Sequence, residues 1–392
     1  MKILTFTTLY PDSTRVRHGI FVETRLRQLL TFSGIESKVV APVPWFPSQH
    51  KMFGSYATYA GVPYQENRFG IDICHPRYPL LPKIGMSLAP WMMAQAATPL
   101  LKKLLRDGYD FDVIDAHYFY PDGVAAALLA RTFRKPLVIT ARGSDLNLIA
   151  RFSLPRKWIR WAAQQADHLI AVSPELKQVL VDMDVPAEKI TMLRNGVDAT
   201  FFKPIARDAV RRKLNMRGFV MLSVGNLVPA KCHDLVIEAA AQIPDAELLI
   251  IGQGPEQDRL HKLITDRGME NRAQILGNME QVMLRAYYGA ADVLVLASER
   301  EGWPNVLLES MACGTPVVAT KVGAATSIVS TAEAGILAYA RSTEALLEAI
   351  RQLRDRYPDR AATRSHAEQF SWEETSAGQM QIFNRISKTQ VA

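Results

Sequence analysis

The stretch 292–320, DVLVLASEREGWPNVLLESMACGTPVVAT, decides the fold of this chain. It opens with an apolar run at Val293–Leu296 and closes with a second one at Val317–Ala319. Between them, Pro304 is typical of the first turn of a helix and Gly314 of the residue that ends one. Continuous apolar strands joined by a helix are typical of parallel sheets covered on both faces. The stretch therefore predicts a strand–helix–strand unit.

The same alternation of apolar runs and helical patterns recurs along the whole chain. The strand-like runs are Ile3–Thr7, Lys38–Ala41, Ile71–Cys74, Val113–Ala116, Leu137–Thr140, Leu169–Val172, Val220–Val224, Glu247–Ile251, Val293–Leu296 and Val317–Ala319. Helical patterns between them include Phe21–Leu30, Asp122–Ala130 and Leu235–Ala241. Because the pattern occurs twice, it predicts an α/β protein with two doubly wound parallel-sheet domains. We expect these domains at 1–203 and 204–369, followed by a C-terminal helix in 370–392 that packs back toward the N-terminal domain.

Composition places the chain among ordinary globular proteins, with 48% hydrophobic and 22% charged residues in 392. Its three cysteines lack C-x-x-C spacing, which argues against a disulfide framework or a zinc site and suits a reducing compartment. Tyr10-Pro11-Asp12 interrupts the first apolar run before the core of a signal peptide could form. We therefore expect a cytoplasmic protein.

The net charge of +7 lies entirely in residues 1–202, whereas residues 203–392 are neutral. An anionic membrane surface or a lipid-linked substrate would suit this excess, and so would a plain solvated surface. No nucleic-acid-binding motif accompanies it, so nucleic acid is not an expected partner.

Two stretches of the first half interrupt the alternation. Residues 41–64 are rich in proline and aromatic residues, which predicts a loop. Residues 84–101 carry no charge and are as long as a membrane span, but Pro90 and Pro99 make them a poor one. The alternatives are a helix that dips into a bilayer or an ordinary buried helix.

The opening stretch also places two carboxylates around a turn. Glu301 precedes the predicted helix Asn305–Cys313, and Glu309 lies one turn inside it. Carboxylates accept paired hydrogen bonds from neighbouring hydroxyls, and the amides of the first helical turn, near Gly302, favour phosphate. This combination suits a ligand with a diol at each end and phosphates between, which describes a nucleotide-sugar. Taken singly, each glutamate could equally be a solvated loop or helix charge.

Two other predicted strands of the second half end in residues suited to phosphate. Gly225 and Asn226 end the first of them, and Lys231 follows after a short loop. Glycine lets backbone approach a phosphate, and lysine supplies the counter-charge. Gly252 and Gly254 end the next strand, where the missing third glycine makes a dinucleotide fingerprint weak.

Taken together, these segments resemble the family 4 (group 1) retaining glycosyltransferases. The similar segments, in the order of the chain, are HGIFVETRLRQL, DAHYFYPDG, TARGSD, LRNGVDATFFKP, VGNLVPAKCHDLVIEA, IGQGPE, AADVLVLAS and SEREGWPNVLLESMACGTPVVAT. They cover nearly the whole chain, and the last contains the E-x7-E pattern of that family.

The resemblance implies the GT-B architecture, in which two Rossmann-like domains face a cleft. The second domain would bind the donor nucleotide-sugar and the first the acceptor. By the same resemblance, Glu309 binds the ribose hydroxyls, Glu301 binds hydroxyls of the donor sugar, and Lys231 neutralises the diphosphate. His117 lies near the sugar, although a histidine at a strand end is often only structural.

The implied site residues form three sets. The catalytic set is His117, Lys231 and Glu301. The donor-binding set is Gly19, Gly225, Asn226, Lys231, Gly252, Gly254, Glu301, Gly302, Asn305 and Glu309. The residues implied on the acceptor or phosphate side are Arg142, Asp145, Arg15 and Arg17.

The sequence departs from the family pattern at the diphosphate. The family often has an arginine where Asn226 stands, and asparagine cannot supply that charge. Arg142 stands where a histidine is common, so Arg142, Arg15 or Arg17 is a candidate for the missing charge. Cys232 replaces a glycine that usually follows the lysine.

We therefore expect a retaining, metal-independent hexosyltransferase without a cofactor. Its donor would be a UDP-sugar rather than a GDP-sugar, and its acceptor a glycan or lipid-linked intermediate of envelope or extracellular polysaccharide synthesis. It would be cytoplasmic and peripheral to the inner face of the cytoplasmic membrane. The alternatives are a sugar-nucleotide epimerase or hydrolase of the same fold, and a non-catalytic nucleotide-sugar-binding scaffold.

Overall fold

The computed structural model describes residues 1–80 and 85–388 and divides the chain into two compact units. The first unit contains Met1–Arg194 together with the C-terminal segment from Trp372, and the second contains Asn195–Ser371. The borders thus lie after 194 and 371, where the sequence suggested 203 and 369. The backbone of Val197 bonds Phe370, which ties residues after 194 to the second unit.

The first unit is built on a mostly parallel sheet. Its strands are β1 Lys2–Phe6, β2 Glu36–Val40, β3 Val43–Trp45, β4 Gln65–Arg68, β5 Ile71–Cys74, β6 Arg77–Pro79, β7 Val113–His117, β8 Leu137–Ala141, β9 His168–Ala171 and β10 Ile190–Met192. The sheet order is β10-β9-β8-β7-β1-β2-β5-β4, with β4 antiparallel to β5, while β3 and β6 pair separately. β7 and β8 are buried throughout because helices cover both faces of the sheet centre.

Helices connect these strands in chain order. They are α1 Ile20–Ser33, α2 Ser55–Gly61, α3 Gly85–Arg106, α4 Val124–Phe133, α5 Ser144–Asn147, α6 Ser153–Gln165 and α7 Pro174–Val181.

The second unit repeats the architecture with a parallel sheet ordered β13-β12-β11-β14-β15-β16. Its strands are β11 Phe219–Val224, β12 Ala246–Ile251, β13 Ala273–Ile275, β14 Val293–Leu296, β15 Val317–Thr320 and β16 Gly335–Ala338. Its helices are α8 Arg207–Lys213, α9 His233–Ala241, α10 Gln257–Asp266, α11 Gln281–Ala290, α12 Asn305–Ala312, α13 Ala325–Ile328, α14 Thr343–Asp355 and α15 Arg360–Glu368. Two doubly wound α/β units confirm the predicted fold class.

The last helix, α16 Trp372–Lys388, belongs to the first unit although it follows the second in sequence. It packs against α1, and its Ile382, Phe383 and Ile386 join Ile3 and Val113 in one buried cluster. The C-terminal helix therefore completes the core that covers one face of the first sheet.

The prediction of a loop over 41–64 is wrong in part. Strand β3 and helix α2 both lie there. β3 pairs with β6 in a separate two-stranded sheet, where Pro44 is tolerated. The aromatic residues pack on one another, with the ring centroids of Phe46 and Phe53 5.2 Å apart.

The uncharged stretch 84–101 forms most of α3, although Ile84 itself lies outside the described residues. The helix buries Met93, Ala97 and Leu101 against the unit and leaves Met86 and Leu88 exposed. Within residues 1–80 and 85–388, no helix combines the length and apolar character that a membrane crossing requires.

Candidate active site

The loop between β14 and α12 carries Glu301 at the carboxyl edge of the second sheet. Pro304 precedes the first residue of α12, and the loop residues Gly302 and Trp303 are buried. Gly323 packs closely against the backbone of Glu301, since a Cβ at position 323 would overlap the carbonyl oxygen of Glu301. The amides of the first turn of α12 open at the same edge, where a helix N-terminus favours anions.

Lys231 reaches Glu301 from the loop after β11. Its Nζ lies 2.5 Å from Oε1 of Glu301, and the two side chains are 25% and 10% exposed. The cation and the carboxylate thus satisfy each other while their edges remain open to a ligand. A diphosphate would compete with the carboxylate for the ammonium, and sugar hydroxyls would compete with the ammonium for the carboxylate.

Glu309 lies in the second turn of α12 and has a different partner. The hydroxyl of Tyr288, on α11, donates to its Oε2 at 2.9 Å. This bond orients the carboxylate. At the start of the same helix, Asn305 accepts a hydrogen bond from Asn195 at 3.2 Å.

Three glycines differ in what they do at this edge. A Cβ on Gly252 would overlap the carbonyl oxygen of Gly225, and one on Gly254 would overlap that of Leu227. These two positions therefore need glycine for packing between the loops after β11 and β12. A Cβ on Gly225 would meet only the Lys231 side chain, at ordinary contact distance. Gly225 is thus open to a ligand, and Asn226 beside it is exposed.

A buried histidine supports the loop that carries Lys231. His233 begins α9 and is 4% exposed, with its Nδ1 2.9 Å from the hydroxyl of Ser223 on β11. Burial lowers the pKa of His233 to about 4, and the charge of Lys231 acts in the same direction. His233 is therefore neutral at physiological pH and does not add to the positive charge of the site.

In the first unit, His117 ends β7 with both ring nitrogens engaged. Its Nε2 lies 3.2 Å from Asp115 Oδ2, and its Nδ1 lies 2.6 Å from Nη2 of Arg142. Because guanidinium can only donate, Nδ1 accepts and the proton sits on Nε2. Burial lowers the pKa of His117 to about 4, against the opposing effect of Asp115.

Asp145 organises the turn that carries Arg142. Its carboxylate accepts hydrogen bonds from the amides of Gly143 at 2.7 Å and Phe119 at 2.9 Å, and also from the amide of Arg142. Burial raises the pKa of this carboxyl, and these amides oppose the shift. Asp145 therefore holds the ends of β7 and β8 together.

The loop after β1 contains Gly19 and the two arginines considered for the missing charge. Gly19 has φ 69°, and a Cβ there would overlap the backbone of Leu9, so glycine is required. Arg15 is paired with buried Asp12 at 2.6 Å. Arg17 is partly buried and has no ion pair among the described residues. Of the three candidates, Arg15 and Arg142 are thus committed to partners.

The structure gathers the predicted residues into two groups, one in each unit. In the second unit Lys231, Glu301 and the three glycines lie together, and Glu309 follows on α12. In the first unit His117, Arg142 and Asp145 lie together. Sequence reasoning missed Asp115, which contacts His117, Tyr288, which contacts Glu309, and Gln379, which contacts Asp115. Only Asp115 gave a signal, because a charged residue two positions before His117 shares its face of an otherwise apolar strand.

No cluster of three or more His, Cys, Asp or Glu side chains suited to a metal ion occurs within the described parts of the chain. Metal independence of the reaction remains a prediction.

Two family models match this chain. Residues 206–370 match "Glycosyl transferases group 1", and residues 34–201 match "Glycosyltransferase Family 4". The first covers the Lys231 and Glu301 loops, and the second covers His117 and Arg142.

Similar proteins include a candidate teichuronic acid biosynthesis glycosyltransferase, TuaC, of Bacillus subtilis. It is 30% identical over 363 residues, which are 89% of this chain and 88% of TuaC. The D-inositol 3-phosphate glycosyltransferase of Mycobacteroides abscessus is 30% identical over 71% of this chain and 66% of its own.

Solved structures match over nearly the full length. Sucrose-phosphate synthase of Thermosynechococcus elongatus aligns with a TM-score of 0.78 at 20% identity, over 99% of each chain. Anabaena Alr3699/HepE, solved with UDP-glucose, aligns with a TM-score of 0.69 at 22% identity, over 100% of this chain and 99% of its own. At these identities the match concerns the fold alone. The resemblance that the motifs indicated is confirmed: the chain belongs to the group 1, family 4 glycosyltransferases, and its fold is GT-B.

Proposed function

We propose that this glycosyltransferase moves a hexose from a UDP-sugar to an acceptor with retention of anomeric configuration and without a metal. The observation that carries the proposal is the Lys231–Glu301 pair at 2.5 Å, beside the N-terminus of α12. It places one cation, one carboxylate and a helix N-terminus at one sheet edge. A diphosphate joined to a sugar presents the complementary groups.

In this proposal the donor rearranges the pair. The diphosphate takes the ammonium of Lys231, and Glu301, released from that charge, accepts hydroxyls of the donor sugar. Glu309, held by Tyr288, accepts the ribose hydroxyls. UDP as the donor nucleotide is supported by Alr3699/HepE, which was solved with UDP and with UDP-glucose.

Leaving-group stabilisation would supply the main catalytic effect. Negative charge grows on the diphosphate as the glycosidic bond breaks, and Lys231 and the amides near Gly302 stabilise it. Substitution on the face of the departing group retains configuration, and the departing phosphate helps to deprotonate the acceptor hydroxyl. His117 takes no proton in this scheme, because Asp115 and Arg142 engage its two nitrogens.

A thermal-shift screen against UDP, GDP, ADP and their sugar conjugates tests the donor. Binding to the folded state alone raises its apparent stability, by about 2.7 kcal/mol at a ligand concentration of 100 Kd. We expect a shift with UDP and a larger one with a single UDP-sugar. A shift with GDP or ADP alone would mean that the donor carries that nucleotide instead of UDP. No shift with any of the nucleotides would favour the scaffold alternative.

Product analysis tests the chemistry. With the donor identified, NMR of the first product should show the anomeric configuration of the donor, and EDTA should leave the rate unchanged. An inverted product or a rate restored only by added metal would contradict the proposal. Donor turnover without any acceptor would favour the epimerase or hydrolase alternative.

The acceptor is proposed to be a glycan or lipid-linked intermediate of polysaccharide synthesis, reached by peripheral association with an anionic membrane. Teichuronic acid biosynthesis in the name of TuaC supports the first part. The second is supported by a basic aromatic patch, Arg151–Arg160. Its exposed side chains are Arg151, Phe152, Leu154, Arg156, Lys157 and Arg160.

Liposome flotation tests the membrane proposal. We expect the protein to float with vesicles containing anionic lipid and to stop doing so when Arg156 and Lys157 are both changed to glutamate. Changing Lys102 and Lys103 to glutamate gives the same charge difference on another exposed part of the first unit and should leave flotation intact. Equal losses of flotation in both variants would mean that binding depends on the net charge of the protein and not on this patch.

A further inference from the structure

The buried network around Arg25 contains an arrangement that donor binding alone does not require. Arg25 on α1 and Asp115 on β7 are opposite charges buried at 1% and 0% exposure. A side chain from α16 lies between them. Gln379, 1% exposed, accepts from Arg25 Nε at 3.0 Å and donates to Asp115 Oδ2 at 2.8 Å.

An amide can make both bonds because it carries an acceptor oxygen and a donor nitrogen. A carboxylate in this place would accept from Arg25 but repel Asp115, and an amine would do the reverse. Opposite charges in a buried region attract strongly, so Arg25 and Asp115 would pair directly if nothing separated them. The amide keeps them apart while satisfying a hydrogen bond on each side.

The oxygen of Asp115 that accepts from Gln379 is also the one that faces His117. Oδ2 of Asp115 lies 3.2 Å from Nε2 of His117, and the other ring nitrogen receives Arg142 at 2.6 Å. The proton must therefore stay on Nε2 for the Nδ1 lone pair to meet the guanidinium. A hydrogen-bonded partner on one ring nitrogen is what fixes the tautomer at the other.

We propose that Gln379 is a positioning residue that acts from the C-terminal helix: as an amide bridge between Arg25 and Asp115, it holds His117 in the Nε2–H tautomer that receives Arg142. The orientation of Arg142 at the carboxyl edge of the first sheet thus depends on a residue of α16. The expected effect on catalysis rests on the proposed function, whereas the tautomer does not.

Gln379→Met and Gln379→Glu test the bridge, because the first removes both hydrogen bonds at similar volume and the second retains only the one from Arg25. Phe383→Leu is the control, since Phe383 is fully buried on the same helix but has no part in the network. The full-length protein, labelled with ¹⁵N at histidine, is examined by NMR, and its transfer kinetics are measured with the donor found in the screen. Thermal unfolding shows whether the variants lose comparable stability.

In the wild type we expect a protonated Nε2 and an unprotonated Nδ1 for His117, with a slowly exchanging Hε2. In both Gln379 variants this signal should be lost or split between tautomers, and kcat should fall about 10- to 100-fold, as expected when a reacting geometry is displaced. The donor KM should change less than twofold. Phe383→Leu should keep the signal and kcat.

Two outcomes separate the bridge from its effect on catalysis. Retention of the His117 signal in Gln379→Met, with kcat equal to that of Phe383→Leu, would overturn the bridge. Loss of the signal without loss of kcat would establish the bridge and show that the orientation of His117 and Arg142 does not limit sugar transfer.

Discussion

Glu301 and Glu309 lie on one short segment, but their contacts give them different functions. Glu301 is paired with Lys231, whereas Glu309 accepts a hydrogen bond from the hydroxyl of Tyr288. Glu309→Ala should therefore weaken binding of free UDP about 10- to 100-fold, because hydrogen bonds to charged groups contribute about 1.5–3 kcal/mol. Glu301→Ala should preserve UDP affinity and weaken binding of the UDP-sugar to a similar extent. Titration calorimetry with both ligands measures this.

Tyr288→Phe provides the matched control for Glu309. It removes the hydroxyl that orients the carboxylate but leaves the charge, so its loss of UDP affinity should be smaller than that of Glu309→Ala. If Glu301→Ala and Glu309→Ala reduced UDP affinity equally, the proposed division between ribose and sugar would be wrong.

His233 gives the second unit a dependence on pH. The pKa of His233 is about 4 in the folded state and about 6.5 in an unfolded chain. Above pH 6.5 the histidine is neutral in both states, and its burial then does not oppose folding. Stability is lost as the pH falls from 6.5 to 4, because only the unfolded state takes up the proton. On lowering the pH from 7.5 to 5, the wild type should lose about 2 kcal/mol more than His233→Gln does.

Urea unfolding of both proteins at the two pH values measures the difference. A substitution of the exposed His261 is the control, and it should unfold like the wild type at both. Parallel behaviour of the wild type and His233→Gln would show that burial does not keep this imidazole neutral.

At the scale of elements, most of the strands that the sequence predicted are buried on both faces, as β7, β8, β14 and β15 are. Burial on both faces leaves continuous apolar runs, which are readable without a structure. The missed strands lie at sheet edges or pair outside the main sheet. β4, for example, reads QENR and alternates between exposed and partly buried residues, so no apolar run marks it.

The candidate site divides in the same way. Lys231, Glu301 and Glu309 could be predicted because strand-end loops and a helix start are local in sequence. Gln379 could not, since it lies 264 residues from Asp115 and joins it only through the packing of α16 on the first unit. No local pattern distinguishes a bridging glutamine from a surface one.

The loops after β11 and β12 each contain a glycine, and the space around the two glycines differs. Gly254→Ala should destabilise the protein by about 1–3 kcal/mol, because the new Cβ would overlap the backbone of Leu227. Gly225→Ala should keep its stability, since only the Lys231 side chain is near, but should weaken UDP binding if phosphate approaches the backbone there. Thermal unfolding and UDP titration of both variants test this.

The two variants act as controls for each other. A Gly225→Ala protein with unchanged UDP affinity would remove Gly225 from the donor site. A Gly254→Ala protein of full stability would mean that the two loops can separate without cost.

At the scale of the whole molecule, the chain returns to the first unit only through its C-terminal helix. Phe383 of α16 is fully buried beside Leu29 and Val113, while the second unit has a core of its own around Leu346. Phe383→Ala should cost about 3–5 kcal/mol, and the loss should fall on the first unit.

Hydrogen exchange resolves where the loss falls, because protection reports the stability of each cooperative region separately. In Phe383→Ala, amides of β1, β7 and α1 should exchange faster while those of β11 and β14 stay protected. Leu346→Ala, which opens a cavity in the other core, should give the reverse pattern. Equal loss of protection in both units for either variant would mean that the two cores unfold as one, and that a defect in the C-terminal helix reaches the donor-binding residues through stability alone.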